Sequence, residues 1–532
     1  MAWVRSDRLL FGLLAVVGAF FIVRGLAAQP GGFTDVFYHF NAANHLASGQ
    51  GFTDEYLWVY VGMPEGLPAP SHLYWMPLTS LLAAVGMGLL NAPGDYAAAQ
   101  LPFVLMLAGT AYVGFWLGGR LGGTRRHAWL AGLITLFGGY YMRFWGATDT
   151  FTPYALIGSL CLVCMGLYAD RDSERGYWYA AFAGVLAGLA HLTRADGVLL
   201  LMVGWVVVLW PTLSPSTDGV GRAAPLRGKL TALAIMTLVY LMVMLPWFLR
   251  NLAAMGSPLP VGGAQGIWFT EYNDLFNYPP DASPQTFFAE GVGRLLATRW
   301  EALVNNLGTF IAVEGMIILV PLMLIGLWAR RDGFLRGFWL YALGLHLVMT
   351  LVFPFAGYRG GLFHSAAALL PWWAALALVG LDDVVEWIAK RRRTWRASTA
   401  KWLFSLALLG FVIFLSLSIA LPRRIEAHTP ALYSALDAAL PVDARVMVND
   451  PAQLYYFTGR GGVVLPNELP EVIAQIADKY GVDYLLLEYT TSEGQTLVAA
   501  PSSLASILDT PPDFLTRVDV DLPGAVLYAI DS

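Results

Sequence analysis

The stretch Phe33–Phe52, FTDVFYHFNAANHLASGQGF, decides the fold because it directly follows a run that can cross a membrane. Residues 8–28 form an apolar run of roughly 20 residues, the length of one transmembrane helix, without the A-x-A-like site of a cleaved signal peptide. The quoted stretch therefore starts where the chain leaves the bilayer. It predicts a helix with Thr34 as N-cap and Asp35 in the first turn, where a carboxylate suits the helix dipole. Asp35 is either such a structural residue or a reacting group at the membrane surface.

The composition indicates an integral membrane protein. Of the 532 residues, 57% are hydrophobic and 13% are charged, whereas soluble domains carry about 25% charged residues. The net charge is -5, and no basic face with interleaved aromatic residues predicts a nucleic-acid partner. Cys161 and Cys164 share a C-x-x-C spacing inside an apolar run, which favours simple packing over a metal or redox pair.

Apolar runs bounded by polar residues predict about 11 transmembrane helices. They lie near 8–28, 96–118, 128–146, 150–169, 177–193, 197–213, 230–249, 306–328, 337–354, 362–380 and 402–421. A further run at 73–90 is expected to lie along the membrane face or to dip into it, because a crossing there would move the basic KRRR segment to the outside.

With this assignment the basic loops share one side, which predicts a plasma-membrane protein with a cytoplasmic N-terminus and an external C-terminus. These inner loops lie near 120–126, 171–175, 222–229, 330–336 and 390–401. Arg423 and Arg424, just past the last span, are exceptions. The outer segments collect carboxylates, which is unexpected for a mere anchor.

Two domains are predicted. Residues 1–421 form a transmembrane catalytic domain, in which 29–95 is the first outer loop with interfacial helices. Residues 422–532 alternate short strands and helices, which predicts a small extracytoplasmic α/β domain. This tail contains no phosphate-binding loop, no G-x-S-x-G and no cluster of metal ligands, so we expect it to recognise a partner or brace the outer face.

Two outward carboxylates beside a membrane-embedded bundle suit glycosyl transfer from a lipid carrier. Asp149 lies at the junction that opens the span at 150–169. One carboxylate would remove the proton from the acceptor hydroxyl, and the other would hold the acceptor or orient the first. A departing polyprenyl phosphate requires cations at the interface. Arg194, Arg250 and Arg359 are external candidates, although each can equally be an interfacial snorkelling residue.

The order of these segments resembles the GT-C superfamily of integral-membrane glycosyltransferases, near the protein mannosyltransferases and the lipid A aminoarabinose transferases. The matching segments are TDVFYHFNAANHLASGQGF after the first span, PSHLYWMPLTSLLA, TDTFTPYAL, GLAHLTRADG and LPWFLRN. The resemblance covers about residues 8–380 and lies in the order of the segments more than in their exact residues. It implies a GT-C type helical fold in which Asp35 is the general base and Asp149 supports it.

The resemblance also implies that Arg194 and Arg359 grip the carrier phosphate, with Arg250, Tyr38 and His39 completing the predicted substrate-binding set. One departure from the family pattern weakens the predicted binding of the carrier phosphate. Lipid A aminoarabinose transferases have a Lys-Pro pair where this chain has Ser71-His72, and a neutral His72 would donate to a phosphate only weakly. No D-x-D cluster surrounds Asp35, so we expect no cofactor and no metal, although Asp54-Glu55 leaves a divalent metal open.

The leading hypothesis is an inverting glycosyltransferase that moves a sugar from a polyprenyl-phosphate donor to a glycan, lipid or protein acceptor at the outer face. Inversion follows from a single displacement. A transporter or flippase of a lipid-linked sugar is the main alternative, but it would gather ionisable groups near the midplane in repeated halves. A non-catalytic assembly factor with the same fold is the third. The intramembrane Glu314 and His346 are interpreted as hydrogen-bonded within the bundle, and Trp58, Tyr60 and Trp75 as residues that can stack on a sugar.

Overall fold

The computed structural model describes most of the chain, with short gaps. The described residues are 5–170, 175–210, 226–330, 332–392, 394–492, 495–498 and 502–531. The predicted inner loops at 171–174 and 211–225, together with Arg331 and Arg393, lie outside the described residues.

The described chain is mainly α-helical, and its first eighteen α-helices lie within residues 5–420. They are α1 Arg5–Leu26, α2 Thr34–Ala47, α3 Leu78–Leu89, α4 Tyr96–Gly122, α5 Arg125–Phe137, α6 Phe151–Ala169, α7 Arg175–Thr193, α8 Val198–Leu209, α9 Leu226–Met255, α10 Val261–Gln265, α11 Pro284–Ala289, α12 Gly291–Thr309, α13 Val320–Ala329, α14 Arg336–Leu351, α15 Pro354–Ala356, α16 Leu362–Ala366, α17 Leu370–Ala389 and α18 Ala397–Ala420.

Seven helical segments in the described part of the chain are long and apolar enough to cross a membrane, which confirms a multi-pass membrane protein. They are Arg5–Leu26, Tyr96–Gly122, Phe151–Ala169, Leu226–Met255, Gly333–Leu351, Pro354–Ala389 and Ala397–Arg423. The segment Pro354–Ala389 is 89% buried within its most apolar window, whereas Arg5–Leu26 and Ala397–Arg423 are each 28% buried there. The first lies inside the bundle and the other two face lipid. The count of about 11 spans stays a prediction.

Helix α3 is too short to cross the bilayer. Its 12 residues extend about 18 Å at the usual rise per residue, against a hydrocarbon core of about 30 Å. It packs on α4 so closely that a side chain at Gly86 would meet the Ala98 carbonyl oxygen at 2.2 Å. The placement of the run at 73–90 along or partly into the membrane face stays a prediction.

The C-terminal region is an α/β unit, as predicted. Its helices are α19 Ala431–Ala439, α20 Pro451–Thr458 and α21 Val472–Tyr480. The strands of the described chain are β1 Thr53–Asp54, β2 Tyr56–Leu57, β3 Ala69–Pro70, β4 Val446–Val448, β5 Gly462–Val464, β6 Tyr484–Ser492, β7 Gln495–Val498, β8 Leu515–Arg517 and β9 Ala525–Ile530. The main sheet has the order β2-β5-β4-β6-β9-β8, with β7 paired to β6. Its edge strand β2 comes from the first outer loop and runs parallel to β5. The domain boundary at 421/422 stays a prediction.

The C-terminal unit also holds α2, the helix of the opening stretch. The Thr34 hydroxyl donates to the Asp450 carboxylate at 2.7 Å, and the Asn41 amide donates to the Ala452 carbonyl at 2.8 Å. The prediction that Thr34 caps α2 is wrong, because the helix already starts at Thr34 and its N-cap is Phe33. The Thr34 side chain is used for the contact with the C-terminal unit instead.

Candidate active site

Asp35 lies in the first turn of α2, and its carboxylate lies within 4.8 Å of that of Asp149 at one end of the bundle. Its side chain does not cap the helix. Burial raises the pKa of Asp35, and the negative charge of Asp149 raises it further. The nearby His364 and Arg194 and a hydrogen bond from Trp75 lower the pKa, and the balance is a pKa of about 6. A carboxylate with this pKa is ionised at neutral pH and is a better base than an ordinary Asp.

Asp149 is fully buried, and both of its carboxylate oxygens have partners. The Thr150 backbone N–H donates to Oδ1 at 2.5 Å, and His364 Nε2 lies 3.1 Å from Oδ2. Burial alone would raise the pKa of Asp149, but the adjacent His364 holds it below the ordinary value. Asp149 is therefore a stable anion beside Asp35.

His364 joins the two carboxylates, although the sequence analysis did not predict it. Its Nδ1 donates to the Gly360 carbonyl at 2.8 Å, and its ring stacks on Phe151 with 3.8 Å between the ring centroids. Gly360 has a φ of 139°, a conformation that favours glycine. His364 lies inside the predicted span 362–380, and the signal that could have found it is its position in GYRGGLFHSAA, five residues after Arg359.

Arg194 is fixed at the edge of this cluster by three neighbours. Its Nε lies 3.0 Å from Asp196 Oδ1 and 2.9 Å from Ser365 Oγ, and its Nη1 lies 3.4 Å from Thr150 Oγ1. Burial alone would lower the pKa of Arg194, but the neighbouring carboxylate of Asp196 raises it above the ordinary value. A guanidinium has five N–H donors, so these bonds leave donors for an anion.

Arg359 lies on the exposed rim of the site. Its guanidinium stands over the Tyr272 ring, 4.4 Å from the centroid. Tyr272 belongs to the outer loop between α10 and α11 and is close enough to Asp35 that burial and the Asp35 charge together raise its pKa to about 12. Tyr272 thus connects the rim to Asp35.

Tyr38 and His72 form a second polar group with Asp54, behind α2. The Tyr38 hydroxyl donates to Asp54 Oδ2 at 2.8 Å and accepts from the His72 backbone N–H at 2.5 Å. Burial raises the pKa of Asp54 to about 7. Arg250 donates to the Phe52 carbonyl at 3.2 Å beside this group. The structure thus brings Tyr38, His72 and Arg250 to one another, outside the Asp35–Asp149–His364 cluster.

His39 lies between the two groups, one turn after Asp35. Its Nδ1 is 2.9 Å from Ser80 Oγ, and the same hydroxyl is 3.0 Å from His72 Nε2. Burial lowers the pKa of His39 to about 4, so the ring is neutral at pH 7. Its Nε2 is buried without a hydrogen-bond partner among the described residues.

The aromatic residues predicted to stack on a sugar separate in the structure. Trp58 and Trp75 pack with 4.3 Å between ring centroids, and Tyr38 packs on Trp75 at 4.2 Å. Trp58 and Trp75 are partly exposed. Tyr60 is fully buried and donates to the Val464 carbonyl, which excludes it from a sugar-binding surface.

Asp35, Asp149 and His364 also form a possible metal site. Each offers one ligand atom, and these atoms lie within 4.8 Å of one another. Carboxylates and imidazole are ligands that suit Zn²⁺ or Mn²⁺. The three residues come from separate parts of the chain, so no local D-x-D motif marks the cluster in the sequence.

The sequence matches no protein-family model, and no curated protein matches it. Solved structures are similar in fold. The oligosaccharyltransferase of Archaeoglobus fulgidus, crystallised with Zn and sulfate, aligns with a TM-score of 0.60 and 14% identity over 96% of this chain and 79% of that chain. ArnT from Cupriavidus metallidurans, bound to undecaprenyl phosphate, aligns with a TM-score of 0.53 and 14% identity over 98% and 97%. Arabinofuranosyltransferase AftD from Mycobacteria aligns with 0.54 and 15% over 100% and 42%.

These neighbours are GT-C glycosyltransferases, and this chain has the GT-C fold. The fold implied by the sequence resemblance is confirmed. At identities of 14–15% the likeness is one of fold, so the roles of individual residues stay predictions.

Proposed function

We propose that this protein is an inverting glycosyltransferase that moves one sugar from a polyprenyl-phosphate donor to an acceptor at the outer face of the membrane. The observation that carries the proposal is the meeting of Asp35, Asp149 and Arg194, which come from three outer junctions far apart in sequence. The structural neighbours support the donor class, because one of them was solved with undecaprenyl phosphate.

Asp35 acts as the general base. It takes the proton of the acceptor hydroxyl as that oxygen bonds to the anomeric carbon, while the bond from this carbon to the phosphate oxygen breaks. The electron pair leaves with the phosphate, and the single displacement inverts the anomeric centre. The carboxylate of Asp35 accepts fewer hydrogen bonds than that of Asp149. The pKa of Asp35 is about 6, near the pH of the reaction, as general base catalysis requires.

The neighbours of Asp35 hold the reacting groups in place. Asp149 keeps His364 in position and raises the basicity of Asp35 through its charge. Arg194 presents its remaining N–H donors to the leaving phosphate, where charge develops in the transition state. Arg359, on the rim, meets the phosphate where the carrier enters.

The cluster also fits a divalent cation. Asp35, Asp149 and His364 would hold it, and its charge would stabilise the leaving phosphate. His39, one turn after Asp35, is not among these three residues, although its Nε2 is buried without a hydrogen-bond partner in the described chain. Measuring transfer after chelation and after re-addition of Mn²⁺ or Zn²⁺ separates a metal-dependent reaction from the metal-independent one expected from the sequence.

The proposed orientation places the site and the C-terminal unit outside the cytoplasm. The basic residues of α5 and of the segment after α17 then lie on the inner side. A tag after residue 426 should be labelled from outside intact cells, whereas a tag between residues 393 and 401 should not. The opposite labelling pattern would turn the site towards the cytoplasm.

The function is tested with purified protein in liposomes that carry a mixture of polyprenyl-phosphate sugars. Mass spectrometry of added acceptors should show a mass increase of one sugar residue together with free polyprenyl phosphate. Intact donor that only moves to the other leaflet would support the flippase alternative. Neither change would support the assembly factor.

A further inference from the structure

Four arginines gather at the outer ends of α1 and α18, where the positive-inside tendency disfavours them. Arg24 is in the last turn of α1, Arg143 is in the 3₁₀ segment Gly139–Phe144, and Arg423 and Arg424 follow α18. The transfer reaction does not use any of them. The helix ends are joined there by a short parallel bridge, in which the Ile425 N–H donates to the Leu26 carbonyl at 2.8 Å.

One cavity on this bridge contains two arginines and no acidic side chain among its lining residues. Arg143 and Arg423 line it together with Leu26, Phe33 and Ile425. The Arg143 guanidinium lies over the Phe144 ring, 5.3 Å from the centroid. The Arg423 guanidinium donates to the Ile419 carbonyl of its own helix at 3.1 Å. Neither forms an ion pair with an acidic side chain in the described part of the chain.

A second cavity lies on the other side of the same bridge and has a volume of about 450 Å³. Arg24 and Arg424 line it, and Glu426 is its acidic residue. Arg424 pairs with Glu426, whereas Arg24 donates to the neutral side chain of Gln100. The two cavities together therefore hold four cations and one anion.

The surroundings identify the occupant as a lipid. Helix α1 exposes Phe20 and Phe21, α18 exposes Phe414, and Leu421 is exposed directly after α18. These exposed apolar side chains lie on the two segments that carry Arg24 and Arg423, and an arginine at the end of an apolar helix reaches towards the lipid headgroups. The acyl chain of a lipid can pack on these side chains while the lipid phosphate reaches the guanidinium groups. A soluble anion would make no contact with the apolar side chains.

We propose that the arginines at this junction bind the headgroup of an anionic phospholipid of the outer leaflet. Its phosphate lies between Arg143 and Arg423 at the mouth of the first cavity, which at about 30 Å³ is too small to enclose a headgroup. The bound lipid lies beside the candidate active site, since Phe33 and Ala147 line the same cavity and directly precede Thr34 and Thr148 in the chain. Arg194 does not line the cavity. The lipid site is thus distinct from the proposed grip on the carrier and does not depend on the proposed reaction.

Native mass spectrometry of the full chain tests the proposal. Protein released from nanodiscs of equal parts phosphatidylglycerol and phosphatidylcholine should retain phosphatidylglycerol in excess. The double variant Arg143→Gln/Arg423→Gln should bind it at least about tenfold more weakly, since charge-assisted hydrogen bonds to phosphate are lost. The matched control Arg517→Gln removes a charge from an exposed strand residue of the C-terminal unit and should leave binding unchanged.

Two further arms keep the test decisive. The variant Arg143→Lys/Arg423→Lys retains both charges and should keep most of the binding, and if the double Gln variant fails to fold, Arg423→Gln alone is titrated, because Arg423 is exposed. Equal retention of phosphatidylglycerol by the wild type and the Gln variants would overturn the proposal. Displacement of the lipid by millimolar inorganic phosphate would also overturn it, because the site would then recognise free phosphate.

Discussion

The outer site and a cluster inside the membrane both bury a carboxylate, but they satisfy it differently. Within the bundle, Glu314 Oε1 lies 2.8 Å from His346 Nε2, and Oε2 accepts from Trp373 Nε1 at 2.8 Å. Both oxygens therefore have a donor from the protein itself. At the outer site Asp35 faces a second negative charge, Asp149, and receives a hydrogen bond from Trp75. A carboxylate whose two oxygens both accept hydrogen bonds from the protein stabilises the fold. A carboxylate with an oxygen that lacks such a donor can still accept a proton from a substrate.

The backbone around Glu314 agrees with a structural role. Glu314 ends the π-helical turn Phe310–Glu314, and Met316 and Ile317 then have positive φ values of 43° and 68°. This break separates α12 from α13 within the helical bundle. Backbone N–H and C=O groups that lose their hydrogen bonds inside a membrane destabilise the fold. The side-chain bonds of Glu314 tie the break to α14 and α17, as expected from the sequence interpretation that this residue is hydrogen-bonded within the bundle.

The largest effect is expected for Asp35→Asn. The change removes the base but keeps the size of the side chain, so turnover should fall at least about a hundredfold. Stability should change by less than about 1 kcal/mol, because only the interaction with the helix dipole is lost. Turnover and donor binding are measured on protein that elutes as wild type. Transfer within about fivefold of wild type would make Asp35 a structural residue.

A smaller effect is expected for Asp149→Asn. The neutral amide weakens the bond with His364, and turnover should fall by about tenfold. Because the charge of Asp149 raises the pKa of Asp35, its removal should also shift the acid side of the pH profile to lower pH. The rates are compared across pH at saturating donor. An unchanged rate and profile would leave Asp149 without a role in the site.

The smallest effect on turnover is expected for Glu314→Gln. A glutamine cannot accept from both partners as the carboxylate does, so the unfolding free energy should fall by about 1–3 kcal/mol. Turnover should stay within about twofold of wild type. Thermal unfolding and transfer are measured on the same preparation. A hundredfold loss of turnover at unchanged stability would place the membrane cluster in the reaction and erase the distinction between the two regions.

The sequence predicted the elements and the acidic residues better than their partners. Asp35, Asp149 and Arg194 were predicted as site residues because each follows or opens an apolar span, and their side of the membrane is predicted from the distribution of basic residues. His364 was missed because its contact with Asp149 links residues 215 positions apart, which periodicity does not report. The contact of Thr34 with Asp450 also links residues far apart in sequence. In addition, a threonine at the start of a helix is ordinarily interpreted as the N-cap.

The residues predicted to bind the substrate also fall into separate groups, because the sequence does not report contacts between distant residues. Arg250 and His72 were grouped with Arg194 because all were expected at the outer face. In the structure they belong to the group around Asp54. Sequence reasoning assigns residues to a face of the membrane, whereas the packing of helices decides which of them meet.

The central claim is that Asp35 is the base, and the pH dependence of turnover at saturating donor and acceptor tests it most directly. Asp35 must be ionised to accept a proton, and burial together with the Asp149 charge raises its pKa to about 6. The rate should therefore be constant above pH 7 and fall about tenfold per pH unit below the pKa. The residual activity of Asp35→Asn should lack this dependence. A wild-type rate that stays flat down to about pH 4.5, or an acid limb that persists in Asp35→Asn, would contradict the assignment.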